Sequence, residues 1–393
     1  MREEGRERRM RIRLLATLLA SALVLAACGR EVGGETADGA PEGSETAAED
    51  GDDSSGGGDA SAAGAECEVD EVDGDLLFYN WSEYMDPDLL TAFGEQYGVS
   101  ATEDTFTSNE ALLAQIRAGG ADYDVIVPSD YMVEIMIEEG LLLELDAEAI
   151  PNSDNVAEDF ANPPYDPELA YSRPYQWGTT GLGVNLEATG PDPEPTWGWL
   201  FDPQLRDGLD LSMLDDPRES MGAALYYLGH DPNTTDEAQL EEAAQLIEEN
   251  TQIVTFTSDQ YSELLLTGET DIGQGYSGNI LDNIGDDENY AYLIPEEGAT
   301  IWTDNMAILT SSNSPCTAHT FINFMLDAEN GAQLTNYTYY ASPNEAATEF
   351  IDEEVTSNPA IYPDEDVREN LYFLENTGEA EVLYTDLFTR AQG

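Results

Sequence analysis

Six short segments of the chain concentrate aromatic side chains, carboxylates or both beside small polar groups. They are Asn80-Trp81-Ser82-Glu83-Tyr84, Pro128-Ser129-Asp130-Tyr131, Asp215-Asp216-Pro217-Arg218-Glu219, Gly275-Tyr276-Ser277-Gly278, Ile301-Trp302-Thr303-Asp304 and Tyr339-Tyr340-Ala341-Ser342-Pro343-Asn344. Aromatic faces attract cations, by about 0.5–1 kcal/mol when exposed and about 2 kcal/mol when desolvated. Carboxylates accept charge-assisted hydrogen bonds from ammonium groups. A slot with aromatic walls and acids at intervals therefore suits an elongated, multiply charged alkylamine. It suits a sugar less well, because sugar sites favour amides and groups of mixed sign. Taken singly, each segment has a plain explanation as a core aromatic, a helix cap or a solvated acid. Six in series point to one site.

The elements that must position these segments alternate between strand and helix. Leu76–Tyr79 reads as a short strand. Asp86-Pro87 starts a helix, with Asp as the cap and Pro at the first helical position. Thr107 and Glu110 form a capping box ahead of the Leu112, Leu113, Ile116 face. Asp124–Val127 is a buried strand. Strand 210–214, helix 218–228, a helix from Thr234 capped with Glu237, strand 253–256, helix 259–267 and strand 270–273 follow. This alternation predicts an α/β fold with largely parallel sheets. Ligands of such folds sit beyond the carboxyl ends of the strands, where the aromatic and acidic segments fall.

Charge narrows the partner. Among 393 residues, 82 are Asp or Glu and 13 are Lys or Arg, giving a net charge of −69, and there is no Lys. Duplex DNA and anionic membrane would both repel such a surface, so no nucleic acid is expected. The 20 Tyr, 11 Phe and 5 Trp exclude a wholly disordered acidic chain. The acidity has two explanations, a field that gathers cations or adaptation to brine. The missing Lys favours a halophilic source, since ligand capture does not require purging Lys from every surface.

Residues 2–13 carry six Arg and precede the 14-residue apolar run Leu14–Ala27. That run is too short to span a membrane and reads as a secretory signal over 1–27, with Met10 an alternative start. Leu25-Ala26-Ala27-Cys28 resembles a lipobox, which predicts lipidation at Cys28 and anchoring to the outer face of the cytoplasmic membrane. Residues 29–66 hold 11 acids and no aromatic, so 28–66 is predicted to be an anchor and disordered tether. Cys67 and Cys316 then remain in an oxidising compartment. They form either a disulfide or two separate buried thiols. With only His230 and His319 besides, neither a zinc site nor a Cys/His nucleophile has material.

Several motifs together carry a family likeness. Phe78-Tyr79-Asn80-Trp81-Ser82-Glu83-Tyr84, Tyr123-Asp124-Val125-Ile126-Val127-Pro128-Ser129, Asp216-Pro217-Arg218-Glu219, Trp302-Thr303-Asp304 and Tyr340-Ala341-Ser342-Pro343-Asn344 match in order and spacing. The chain resembles the periplasmic spermidine/putrescine-binding proteins of ABC importers, from about residue 74 to its end. The resemblance implies a bilobal periplasmic-binding-protein fold (type II-like), two α/β lobes with a hinge and a ligand cleft between them. Lobe one is then 72–182 with 302–347, and lobe two is 183–301 with 348–393. It implies a polyamine ligand, permease subunits as partners, a monomer, no cofactor and no chemistry. By position, Trp81, Tyr84, Ser129, Tyr131, Trp302 and Tyr340 line the slot. Asp216 and Glu219 hold a terminal amine, Asp304 an inner amine, and Ser82 and Glu83 the other end. Two positions depart from the family: Tyr276 replaces a Trp, and Leu374, beside Glu375, replaces a glutamine at the far amine. Because Asp216, Glu219 and Asp304 are all retained, spermidine is favoured over putrescine.

Rival readings rest on less. Gly273-Gln274-Gly275-Tyr276-Ser277-Gly278 matches G-x-G-x-x-G, yet an exported protein has little access to NAD. The pair Asp216/Glu219 could serve a glycosidase, but no nucleophile elbow or metal motif accompanies it. The same bilobal fold could carry a sugar, ferric ion or thiamine. The aromatic–acid set disfavours those solutes.

Overall fold

In the computed structural model, residues 65–119 and 122–393 are described. The signal segment, Cys28 and the tether up to residue 64 lie outside them. Helices of seven or more residues and all strands are numbered below.

The first helix, α1 (Pro87–Tyr97), starts as its sequence dictates. The Asp86 side chain accepts from the Asp88 N–H, and Pro87 occupies the first turn. Gly98 ends it at φ 73°, a left-handed cap that costs glycine little. Leu89 and Phe93, one turn apart, form its buried face. Two caps differ from the sequence expectation. Helix α2 (Asn109–Arg117) is capped by Ser108, whose hydroxyl accepts from the Ala111 N–H at 3.1 Å, rather than by Thr107. Glu110 is thereby released from capping and accepts instead from the Tyr131 hydroxyl. The helix expected from Thr234 is capped by Asp236. Thr234 sits in the turn ahead, accepting from the Asp236 N–H and donating to Gln239. In both places a better-placed side-chain oxygen wins over the sequence motif.

Strands β1 (Leu76–Trp81), β2 (Ala101–Phe106) and β3 (Val125–Ile126) pair in parallel. Strands β5 (Leu211–Leu214), β6 (Val254–Thr257) and β7 (Ile272–Tyr276) do the same. Joining the two sets are β4 (Ser172–Asn185) and β9 (Ala299–Ile308), antiparallel to each other. Strand β4 pairs with β9 along its first half and with β7 and β8 (Tyr290–Leu293) along its second. The sheet path is β2-β1-β3-β9-β4-β7-β5-β6, with β10 (Leu371–Tyr372) beside β9. The sheet is thus mixed, not largely parallel, because its two central strands run against their neighbours.

Helices cover each half. Leu76, Phe78 and Met306 pack with α1 and with Phe321 and Ile322 of α8 (Pro315–Met325). In the other half, Leu211 and Met213 pack with Met221 and Leu225 of α4 (Pro217–Leu228), Leu240 and Ile247 of α5 (Glu237–Glu248), and Phe388 of α10 (Ala380–Gln392). Burial of this apolar area supplies the main favourable contribution to folding. Helices α3 (Asp130–Glu138), α6 (Tyr261–Thr267), α7 (Ser277–Ile284) and α9 (Ala328–Thr338) complete the frame. Cys67 and Cys316 are joined by a disulfide with Cα atoms 5.4 Å apart, fastening the N-terminal end of the described chain to the first turn of α8. Among the described residues, no helix is long and apolar enough to cross a membrane.

Candidate functional site

A cavity of about 790 Å3, counting its open mouth, lies where the two parallel sets face each other across β4 and β9. All twelve residues singled out from the sequence as ligand contacts line it: Trp81, Ser82, Glu83, Tyr84, Ser129, Tyr131, Asp216, Glu219, Tyr276, Trp302, Asp304 and Tyr340. Most are delivered as the α/β frame requires. Trp81 ends β1, Ser129 caps α3 after β3, Asp216 caps α4 after β5, and Tyr276 ends β7. Two segments are placed otherwise. Trp302 and Asp304 lie within β9, not after a strand, and their i, i+2 spacing puts both on one face of it. Tyr340 follows α9, after Tyr339 turns the chain at φ 59°.

The aromatic walls are fixed by one another. Tyr84 stands edge-on to Tyr340 at 4.9 Å between centroids, Trp302 meets Tyr340 at 5.3 Å, and Tyr276 meets Trp302 at 5.8 Å and 90°. Such edge-to-face pairs are favoured over sandwiches and leave ring faces free. The Trp81 indole N–H donates to the Val127 carbonyl at 2.9 Å, which fixes that ring's attitude. The glycine run at 273–278 makes room for this packing. A Cβ on Gly275 would lie 2.3 Å from the Tyr261 ring, and one on Gly278 would lie 2.5 Å from the Tyr340 ring. Close ring packing accounts for those two glycines without a dinucleotide.

Four lining carboxylates are buried: Asp130, Asp216, Glu219 and Asp304. No lining residue is basic. Asp304 accepts from the Ser129 hydroxyl at 2.6 Å, and Ser129 is held in turn by Asn109. Asp130 accepts from its neighbour's N–H and from the Thr303 N–H, pinning the start of α3 to β9. Asp216 Oδ1 accepts from the N–H groups of Arg218 and Glu219 at 3.0 Å each. Burial pushes Asp130 and Asp304 up to about 7 and Glu219 up to about 8, and it raises Asp216 too. Burial thus favours the neutral form of these acids, and a cation placed among them would draw them into the charged form.

The nearby Arg218 guanidinium offsets burial only in part, at Asp216 and Asp130. Arg218 is buried and engaged on its far side, donating to Glu381 at 2.5 Å, to the Glu375 carbonyl at 3.1 Å and to Asn233 at 2.9 Å. Its Cζ lies 5.3 Å from the Tyr131 ring centroid. The cavity is therefore a desolvated, acid-rich slot with aromatic sides, suited to holding a cation and lacking a nucleophile–base pair. Among the described residues, no group of His, Cys, Asp and Glu is arranged to hold a metal ion.

The sequence motifs missed several lining residues. Phe106 and Asn109 flank the start of α2, Tyr261 backs Tyr276, and Asn279 donates to Glu83 at 3.1 Å. Asn109 and Asn279 add amides to a set that looked poor in them. Asn109 lies within the Thr107–Glu110 stretch, which reads only as a helix cap, and Asn279 directly follows the glycine run.

The family described as bacterial extracellular solute-binding protein matches residues 88–363. The chain belongs to that family. This solute-binding protein is 35% identical over 301 residues to the putrescine/cadaverine-binding protein of Pseudomonas aeruginosa, covering 74% of this chain and 85% of that one. It is 32% identical over 318 residues to the spermidine/putrescine-binding periplasmic protein of Escherichia coli, covering 80% and 90%. Among solved structures, a spermidine/putrescine ABC transporter protein of Listeria monocytogenes matches with a TM-score of 0.77 at 36% identity, over 81% of this chain and all but 1% of that one, 99%. A lipoprotein of Treponema pallidum matches at TM-score 0.71 and 28% identity, over 81% and 99%. The solute-binding protein thus has the periplasmic-binding-protein fold, two α/β lobes about a cleft. It binds a solute outside the cytoplasm and is not an enzyme.

Proposed function

We propose that the protein captures a polyamine, spermidine in preference to putrescine, and delivers it to the permease of an ABC importer. The observation that carries this reading is the surplus of buried carboxylates in an aromatic slot with no basic lining residue. Each ammonium of a polyamine would pair with these buried acids, and its methylene chain would lie along the rings. The names of the polyamine-binding relatives described above point to the same ligand class.

In this reading Asp216 and Glu219 hold one terminal ammonium and Asp304 an inner one. Ser82 and Glu83 hold the other end, with Trp81, Tyr84, Tyr131, Tyr276, Trp302 and Tyr340 as walls and Ser129 orienting Asp304. Retention of Asp216, Glu219 and Asp304 supports a triamine. Lobe one comprises 72–182 and 302–347, lobe two 183–301 and 348–393, and β4 and β9 form the hinge that closes on ligand. The mature chain is a monomer, anchored through lipidated Cys28 and its acidic tether, as the lipobox-like Leu25–Cys28 suggests. The lysine-free, acidic surface is adaptation to strong salt.

A thermal-shift series with spermidine, putrescine and maltose tests the ligand class. Ligand at 100 times its dissociation constant adds about 2.7 kcal/mol of stability. Stabilisation by a polyamine and none by maltose is expected, whereas the reverse would sink the proposal.

A further inference from the structure

Near the end of the cavity where Leu374 replaces an amide, Glu110 is bonded to the lining residue Tyr131 without itself being among the lining residues. Leu374 is buried against Tyr131 in one apolar cluster, so the wall at that end offers no hydrogen bond. Tyr131 points its hydroxyl to Glu110 Oε1 at 3.1 Å. The other oxygen, Glu110 Oε2, is buried and accepts no hydrogen bond among the described residues. A buried carboxylate oxygen without a donor is costly, and native structures rarely leave one so.

The surroundings of Glu110 are acidic rather than basic. Burial, and then the charge of Asp216, push its carboxyl up to about 7, with Glu381 adding in the same direction. Arg218, the cation on that side, directs its two terminal nitrogens to Glu381, Glu375 and Asn233, and its Nε is buried without an acceptor among the described residues. Glu110 is flanked in sequence by Asn109, which lines the cavity, and is bonded to Tyr131, which also lines it.

We propose that Glu110 is a further ligand-binding and specificity-determining residue, its Oε2 accepting from the polyamine ammonium seated beside Asp216. From α2 it supplies the polar partner that Leu374 cannot. This inference rests on the polyamine reading above and refines it.

The test is titration calorimetry of the full mature protein with spermidine, alongside unfolding of the ligand-free form. Glu110→Gln keeps an acceptor for the Tyr131 hydroxyl and removes only the charge. Spermidine affinity is expected to fall tenfold or more, while the ligand-free melting temperature stays level or rises. Glu110→Asp keeps the charge and is expected to lose less affinity than E110Q. An E110Q affinity within twofold of wild type overturns the inference. So does a fall in affinity accompanied by a lower melting temperature, which marks a structural role, and so does E110D weaker than E110Q. If wild-type protein binds neither spermidine nor putrescine, it is the polyamine reading that fails.

Discussion

The Ser129 hydroxyl donates to Asp304 Oδ1 at 2.6 Å, joining the cap of α3 to the middle of β9. The bond holds in place one buried carboxylate of the cleft wall. Asp304→Asn keeps the shape and removes the charge. Polyamine affinity is expected to fall by roughly 1.5–3 kcal/mol, the range for hydrogen bonds to charged groups. Neutralising an exposed surface acid such as Glu353 is expected to change it by less than about 0.5 kcal/mol. Equal losses in calorimetry would mean that overall charge, not a pocket, holds the ligand.

Binding should depend on pH with a definite sign. Asp130 and Asp304 titrate near about 7 and Glu219 near about 8, each raised by burial. Alkylammonium groups stay protonated to about pH 10. Affinity is therefore expected to rise between about pH 5.5 and 8, as the carboxylates ionise, and binding is expected to release protons. Calorimetry in buffers of different ionisation heat reads that release, and proton uptake would contradict it.

The ligand-free protein has the opposite trend. A carboxyl raised on folding is harder to ionise in the folded state than in the unfolded one. These groups therefore contribute fully below about pH 4, and their contribution is lost as pH rises through 7 to 8. The gap between melting temperatures with and without spermidine should consequently widen from pH 6 to 8. A gap that narrows would show that these acids are not where the ligand binds.

Gly278 tests the aromatic wall. A Cβ there would lie 2.5 Å from the Tyr340 ring. Gly278→Ala is expected to cost about 1–3 kcal/mol of stability through overpacking, and to weaken binding by displacing Tyr340. Denaturant melts and calorimetry check the two effects separately.

The disulfide closes a loop across a sequence separation of 249. Replacing Cys67 and Cys316 by Ser is expected to cost about 2–5 kcal/mol of stability. Ligand affinity should be unchanged, since neither residue lines the cavity. A loss of affinity in the folded variant would contradict that separation.

The site was legible in the sequence because its aromatic and acidic residues occur in short contiguous segments beside the elements that deliver them. The central strands were not. Strand β4 carries Gly178, Gly181 and Gly183, residues that weaken strand propensity, and its near-continuous burial gives no alternation to read. Strand β9 looked like a loop because Trp302 and Asp304 resemble the ligand segments elsewhere. The antiparallel crossing depends on long-range pairing that no local window contains. Glu110 was concealed by its fit to a capping box with Thr107, whereas Ser108 alone caps the helix. Only the meeting of α2 with Tyr131 shows what the glutamate touches.

Titration calorimetry of the protein with spermidine, putrescine and maltose, at low and high salt, addresses the central claim most directly. Near 1 M salt the screening length is about 3 Å, so long-range attraction is largely lost while contacts inside a desolvated slot persist. Saturable one-to-one binding of spermidine, tighter than putrescine and surviving high salt, is the predicted result. Binding that disappears with salt, or no polyamine binding at either salt, would contradict the account.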